Sequence, residues 1–211
     1  MSVIEKLACS LGRRDEVPNQ ELAAAVSAKN DKRGVAELVE NLTNKNKAIR
    51  YDSIKVLYEI GEAKPKLLAE HYKAFLAELE SKDNRMQWGA MTALGTIALE
   101  KPDEIFKALA KIIDIADRGS VITRDHCVNI LIKLTSLPKF AGKTFPLLNE
   151  QLLSAPTNQL PMYAERAAAP VIDADLRDKL VKTLTLRLGD IEKESGRKRV
   201  EKVIKKLRSS K

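Results

Sequence analysis

The sequence predicts an all-α chain built of repeated helix pairs. Three observations predict it. Ala, Leu, Ile, Lys and Glu dominate the 211 residues, and all but Ile are strong helix formers. The nine Gly and eight Pro are few and fall where helices should end. Above all, the chain repeats itself at an offset of 37 residues, a period that marks a repeat architecture.

The offset is carried by a nine-residue stretch. Ile49 to Leu57 aligns with Met86 to Leu94, Thr123 to Leu131 and Leu160 to Ala168. One aligned position reads Ser53, Ala90, Cys127, Ala164, all small. The next core position reads Val56, Ala93, Ile130, Ala167, and its neighbour Leu57, Leu94, Leu131, Ala168. One turn later come Ile60, Ile97, Leu134 and Val171. Spacings of three, one and three place these residues on one helical face. The small position lets two helices approach closely, while the large ones fill the groove between them.

In chain order, residues 2–11 and 20–29 read as short helices, with Asn19 as a cap. A first helix of each repeat carries Leu38, Phe75 and Ile112 in register, followed by Val39, Leu76 and Ile113. Asn46, Asp83, Ser120 and Thr157 stand where N-caps of the second helices belong. Pro65 falls on Pro102. Pro161 sits in a first turn, where its missing N–H matters little, whereas Pro170 should kink or end its helix. Residues 176–188 and 191–208 read as a final pair. Both ends depart from the period, as terminal repeats with one face to water should.

A polar cap, an apolar residue and Arg, then small residues and Leu, is similar to the second helix of a HEAT (armadillo-like) repeat. Asp83, Met86, Ala90, Ala93 and Leu94 carry the resemblance, and Arg50 and Arg124 match the family's Arg. Gln87 and Pro161 depart from it, which argues against a continuous Arg–Asp ladder between repeats. The resemblance covers residues 34 to 172. It implies a right-handed α-α superhelix of about five helix pairs. It further implies one solenoid domain over 1–211, with an N-terminal cap at 1–33 and a basic capping repeat at 173–211. The fold hosts many roles, so function must be argued from sites.

Composition excludes several classes. Cys9 and Cys127 are far apart, so a disulfide framework is not expected and a reducing, cytoplasmic setting is. Glu5 and Lys6 interrupt the start of the chain, and no signal peptide is expected. No stretch approaches the roughly 20 apolar residues a membrane span needs. Gly142-Lys143-Thr144 resembles the end of a phosphate-binding loop, but Leu137 stands where that loop needs Gly, so a helix–helix turn is expected. His71 and His126 are the only histidines. His126 adjoins Cys127, and helix neighbours point different ways. Neither a metal site nor a Cys–His nucleophile is expected, and Cys127 reads as a buried core thiol. The pairs Asp114/Asp117 and Glu37/Glu40 read as solvated surface. No catalytic residue and no cofactor is assigned.

Two surfaces remain. In the resemblance, second helices line the concave face, whose exposed track takes in Arg50, Lys55, Gln87, Thr92, Arg124, Asn129 and Arg166. Tyr51 and Trp88 flank it, two residues before the small position. They suit either a binding hot spot or packing along the inter-repeat ridge. The second surface is the last helix. Up to Asp175 the chain holds 24 Lys and Arg against 24 Asp and Glu; from Leu176 onward it holds 13 against 5. Val200, Val203, Ile204 and Leu207 form an apolar stripe, and Arg197, Lys198, Arg199, Lys202, Lys205, Lys206 and Arg208 cover the rest. Such a helix suits a nucleic acid, an acidic partner or an anionic lipid, or a cap with a charged outer face.

The function expected first is a non-catalytic interaction scaffold for another protein. The second is nucleic-acid binding through the basic C-terminal helix; some glycosylases for alkylated bases are built of HEAT-like repeats. A third is an enzyme subunit acting on a bound pigment, as some HEAT-like proteins are. The concave face is poor in aromatics and the net charge of the chain lies in its last helices, unlike the glycosylases, which use a strongly basic concave face.

Overall fold

A computed structural model describes residues 2–169 and 173–209. Among the described residues every regular element is helical. The chain divides into two compact units, Met1–Cys127 and Val128–Lys211.

The first unit opens on a 3-10 turn, Ile4–Lys6, followed by α1, Val17–Lys29. Two expectations are corrected here. Residues 2–11 make turns around that short 3-10 segment rather than a helix, and α1 begins before Asn19. Pro18 fits the first turn of α1, and Asp15 Oδ1 accepts the Val17 N–H at 3.1 Å, so Asn19 is not needed as a cap. Its buried Oδ1 instead accepts the Ala8 N–H at 2.9 Å and ties the opening turns to α1. Asn30 ends α1 in the left-handed region, φ 48°, which Asn tolerates.

Then follow α2 (Lys32–Glu40), α3 (Lys47–Ala63), α4 (Pro65–Leu68), α5 (Tyr72–Glu78), α6 (Asn84–Ile97), α7 (Pro102–Lys107) and α8 (Leu109–Arg118). Asp31, Asn46 and Asp83 cap α2, α3 and α6 with side-chain oxygens on the N–H groups of Gly34, Ala48 and Arg85. First helices break with the same period. Pro65 and Pro102 start α4 and α7, and α5 and α8 begin at Tyr72 and Leu109, 37 residues apart. Helix α9, Val121–Thr135, carries the boundary between units, and Ser120 Oγ accepts the Thr123 N–H before it.

The second unit continues with α10 (Pro138–Ser154), α11 (Leu160–Ala168), α12 (Ala174–Arg187) and α13 (Glu194–Ser209). Helix α10 runs unbroken through Pro146, which stands 37 residues after Leu109, the register at which the first unit interrupts its helices. Gly142-Lys143-Thr144 lies inside α10 and is not a turn. Phe140, Phe145 and Leu148 keep helical spacing across it and are buried, and the Thr144 hydroxyl meets that of Thr135 at 2.9 Å. Thr157 does not cap α11. It sits in the preceding turn, and α11 follows Gln159 with Pro161 in its first turn. The helix ends at Ala168; Pro170 and Val171 lie outside the described residues.

The core follows the repeat. Ser53, Ala90, Cys127 and Ala164 are all fully buried, as are Val56, Ala93, Ile130 and Ala167. Leu57, Leu94 and Leu131, then Ile60, Ile97 and Leu134, and the first-helix row Leu38, Phe75 and Ile112 are fully buried too. Ala168 is half-buried where the series ends. Two glycines permit close helix approach in the first unit. A Cβ at Gly89 would stand 2.7 Å from Ile54 Cγ1, and one at Gly61 would run into Thr96 Oγ1 and Leu68. Both glycines therefore set how near α3 and α6 lie.

Candidate interaction surface

Second helices α3 and α6 pack side by side in the first unit, and α1 packs on α3. The predicted track along them is thin, because about half of the side chains on α3 and α6 are buried, two of the track residues among them. Arg50, Gln87 and Arg124 occupy one register of the repeat and perform one task. Arg50 donates to Asn44 O at 2.8 Å, Gln87 Nε2 to Leu79 O at 3.0 Å, and Arg124 to Asp117 O at 3.4 Å. Each latches its helix to a carbonyl in the last turn of the preceding helix or in the connection after it, where acceptors lack an intrahelical partner. Gln87 substitutes for Arg because the task requires a donor of sufficient reach.

Lys55 and Thr92 correct the predicted exposed track. Both are buried, at 8% and 5% exposure. Lys55 Nζ pairs with Glu59 at 2.6 Å and Glu16 at 3.0 Å and lies 5.1 Å from the centre of the Tyr58 ring. Burial would lower its pKa, but the two carboxylates raise it well above the ordinary lysine value. Glu16 belongs to the atypical first repeat, so no offset of 37 pointed to it. The Thr92 hydroxyl turns inward to Trp88 O at 2.8 Å.

Two half-buried aromatics remain on this surface, and both are held in place. The Tyr51 ring lies between Lys47, 5.2 Å away, and Arg85, 4.7 Å away. Its hydroxyl donates to Asp83 at 2.7 Å, and Lys47 pairs with the same carboxylate at 3.3 Å. Burial pushes Asp83 up, yet the hydrogen bonds from Tyr51 and the Arg85 N–H, with Lys47, hold its carboxyl below the usual range. Trp88 stacks at a tilt on Tyr58, ring centres 5.9 Å apart. Between α3 and α6, a Tyr–Lys–Asp cluster thus stands where the resemblance would place an Arg–Asp ladder.

In the second unit, Arg166 donates to Asn129 Oδ1 at 3.2 Å, joining two predicted track residues 37 positions apart. The basic helix α13 buries Val200, Val203, Ile204 and Leu207 against α11 and α12. Its cations are exposed but not equally free. Arg197 donates to Ile191 O at 2.9 Å, Lys198 pairs with Glu194 at 2.6 Å, and Arg199 grips both oxygens of Glu165 at 2.8 and 2.6 Å. Lys202 adds its charge to the Glu165 site, whereas Lys205 has no carboxylate or hydrogen-bond partner among the described residues.

Other polar groups had no signal in the sequence. Arg187 donates to Leu152 O at 2.8 Å and Ala155 O at 2.9 Å, and also to Leu153 O, closing the end of α10. Glu37, read as solvated surface, is half-buried and accepts from Ser2 Oγ and the Val3 N–H. The reactive groups are muted. Burial pushes the Cys127 thiol up to about 12, and burial with Asp52 pushes Cys9 up to about 11. Burial lowers the pKa of His71. Among the described residues no group of three His, Cys, Asp or Glu could hold a metal ion, and no helix is long and apolar enough to cross a membrane.

This is the fold of armadillo- and HEAT-like helical repeat proteins. Solved structures are similar throughout. An engineered protein matches over 100% of this chain and 98% of its own, at TM-score 0.63 and 20% identity. A second engineered protein matches over 99% and 100%, at TM-score 0.63 and 16% identity. A designed armadillo repeat protein, solved in complex with the peptide (KR)4, matches over 97% of each chain at TM-score 0.67 and 14% identity. Such identities speak for the fold alone. No protein-family model matches the sequence, and no curated protein sequence does.

Proposed function

We propose that this chain is a non-catalytic protein-interaction scaffold that binds an extended segment of a partner along the second helices of its first unit. The observation that carries the reading is the pair of ordered, half-buried aromatics, Tyr51 and Trp88, one repeat apart. Aromatic anchors held rigid before binding lose little freedom on binding, and such residues dominate interface energies. The muted thiols and the absorption of Lys55 into an internal ion pair fit a binding role better than a catalytic one. The designed neighbour that holds a peptide supports a protein as the partner class. Two widely separated free thiols suit the reducing cytoplasm.

The test is affinity capture on the full chain, compared with Trp88→Ala and with Tyr51→Ala/Trp88→Ala, folding being checked by circular dichroism. Partners retained by the wild type and lost from the folded double variant support the reading. Partners retained equally by both overturn the assignment to α3 and α6. Arg50 and Arg124 are left intact, because they latch helix ends and their loss would confound binding with folding.

A further inference from the structure

The second unit carries a separate surface. Helices α12 and α13 enclose an open groove of about 540 Å³ near the end of α13. Leu188 and Ile204 form its floor, with Thr185 beside them, and Lys205 and Arg208 stand on its rim. Ile204 is 7% exposed, so the floor is a packed apolar surface rather than a gap between loops. Lys205 and Arg208 are exposed, are one helical turn apart, and have no carboxylate or hydrogen-bond partner among the described residues. Among the described residues Glu201 is the one acid lining the groove.

We infer that this groove docks an acidic amphipathic segment of a partner protein, its apolar side chains on Leu188 and Ile204 and its carboxylates on Lys205 and Arg208. Charge selects the partner: residues 176 to 211 hold 13 cations against 5 anions, and complementary charge sets orientation and on-rate. Shape and chemistry exclude the other occupants of a basic surface. A nucleic acid backbone has no apolar group for the floor, and no aromatic lines the groove to stack a base. Its affinity would rest on the number of cations free for phosphates, but Arg197, Lys198 and Arg199 are already engaged within the fold. A membrane-lying helix must offer its whole apolar stripe to lipid, whereas Val200, Val203 and Leu207 are buried within the unit and the stripe reaches the groove only through the edge of Ile204, which suits a single side chain rather than a bilayer. Glu201 repels acids at its end of the groove and so directs the partner's carboxylates toward Lys205 and Arg208. The inference is independent of the reading of α3 and α6.

The experiment titrates the full chain with a fluorescent amphipathic peptide of about four helical turns, bearing Glu on one face and Leu on the other. The same peptide with Gln for Glu, a duplex DNA and phosphatidylserine vesicles serve as comparison probes. Binding of the Glu peptide is expected to weaken about tenfold or more in Lys205→Glu/Arg208→Glu, and likewise with the Gln peptide or on raising salt. Leu188→Ser is expected to weaken it through the floor. Lys66→Glu/Lys82→Glu changes net charge equally at exposed sites of the first unit and should leave binding intact, as should Trp88→Ala. No binding of the Glu peptide, equal binding by Lys205→Glu/Arg208→Glu, equal loss in Lys66→Glu/Lys82→Glu, or tighter binding of DNA or vesicles each overturns the inference.

Discussion

The phenolic hydroxyl of Tyr51 donates a 2.7 Å hydrogen bond to Asp83, the residue whose other carboxylate oxygen caps α6 through the Arg85 N–H at 3.0 Å. One side chain therefore both starts a helix and fastens it to the helix one repeat earlier. Tyr51→Phe removes only the fastening and should destabilise the chain by about 1 kcal/mol. Asp83→Ala removes the cap as well and should cost about 2 kcal/mol. Urea denaturation of both variants checks the order; equal losses would show that the fastening alone matters and the cap adds nothing.

Acid should loosen the same joint. The carboxyls of Asp83 and Glu165 sit below their ordinary values, Asp83 despite its burial and Glu165 through its hydrogen bonds with Arg199. For a depressed carboxyl, the added stability is complete above the unfolded value and drains as pH falls through the folded one. Stability should therefore decline below about pH 4, where unfolded carboxyls begin to titrate. Thermal melts at stepwise lower pH measure this, and Asp83→Asn should flatten the slope. The Glu165–Arg199 pair is about half exposed, so its share should shrink in high salt.

The glycines divide into two kinds. Gly61→Ala and Gly89→Ala push a methyl into Thr96 and Ile54 and should each destabilise by about 1–3 kcal/mol. Gly142, inside α10, has nothing within 4 Å of an added Cβ. Gly142→Ala should therefore stabilise by about 0.5–1 kcal/mol through helix propensity and a stiffer unfolded chain. Opposite signs for the two kinds in thermal melts are the expected result.

Arg187 is 12% exposed and serves carbonyls of residues 152, 153 and 155 while pairing with Asp190 at 2.6 Å. Arg187→Ala should cost about 1–2 kcal/mol, because partly buried carbonyls at the end of α10 lose their donor. Arg187→Lys should recover little, since one ammonium cannot fork across several acceptors. Faster amide exchange in α10 and α12 of both variants, with α1 and α3 unaffected, would locate the loss.

Thiol labelling separates the cysteines. Cys127 is fully buried with its thiol pushed up to about 12, and Cys9 is partly exposed at about 11. Only the thiolate attacks. Native protein at pH 8 should react slowly at Cys9, faster as pH rises toward 11, and at Cys127 only after unfolding. Rapid native labelling of Cys127 would contradict its place in the packed row with Ser53, Ala90 and Ala164.

The core was legible from residue spacing because burial repeats locally. A helix shows one face every few residues, and each repeat needs the same small and large side chains in the same register. That logic anticipated the buried rows from Ser53 to Ala164 and the buried stripe of α13, and it failed at the atypical start, where Asn19 and the 3-10 turn obey no period. Polar side chains are different. Spacing placed Lys55, Thr92 and Arg50 on an open face, yet each turns to a partner the period does not name: Glu16, Trp88 O and Asn44 O.

The same division holds for the surfaces. Periodicity and charge count were sufficient to establish an all-helical repeat with a basic end, because hydrophobic patterning is written along the chain. Which cations remain free on α13 depended on Glu165 lying 34 residues before Arg199, and which aromatics stand rigid depended on Asp83 reaching Tyr51 across 32. Hydrogen-bond and ion-pair partners are selected by distance and angle in three dimensions, so they emerge only when the helices are packed.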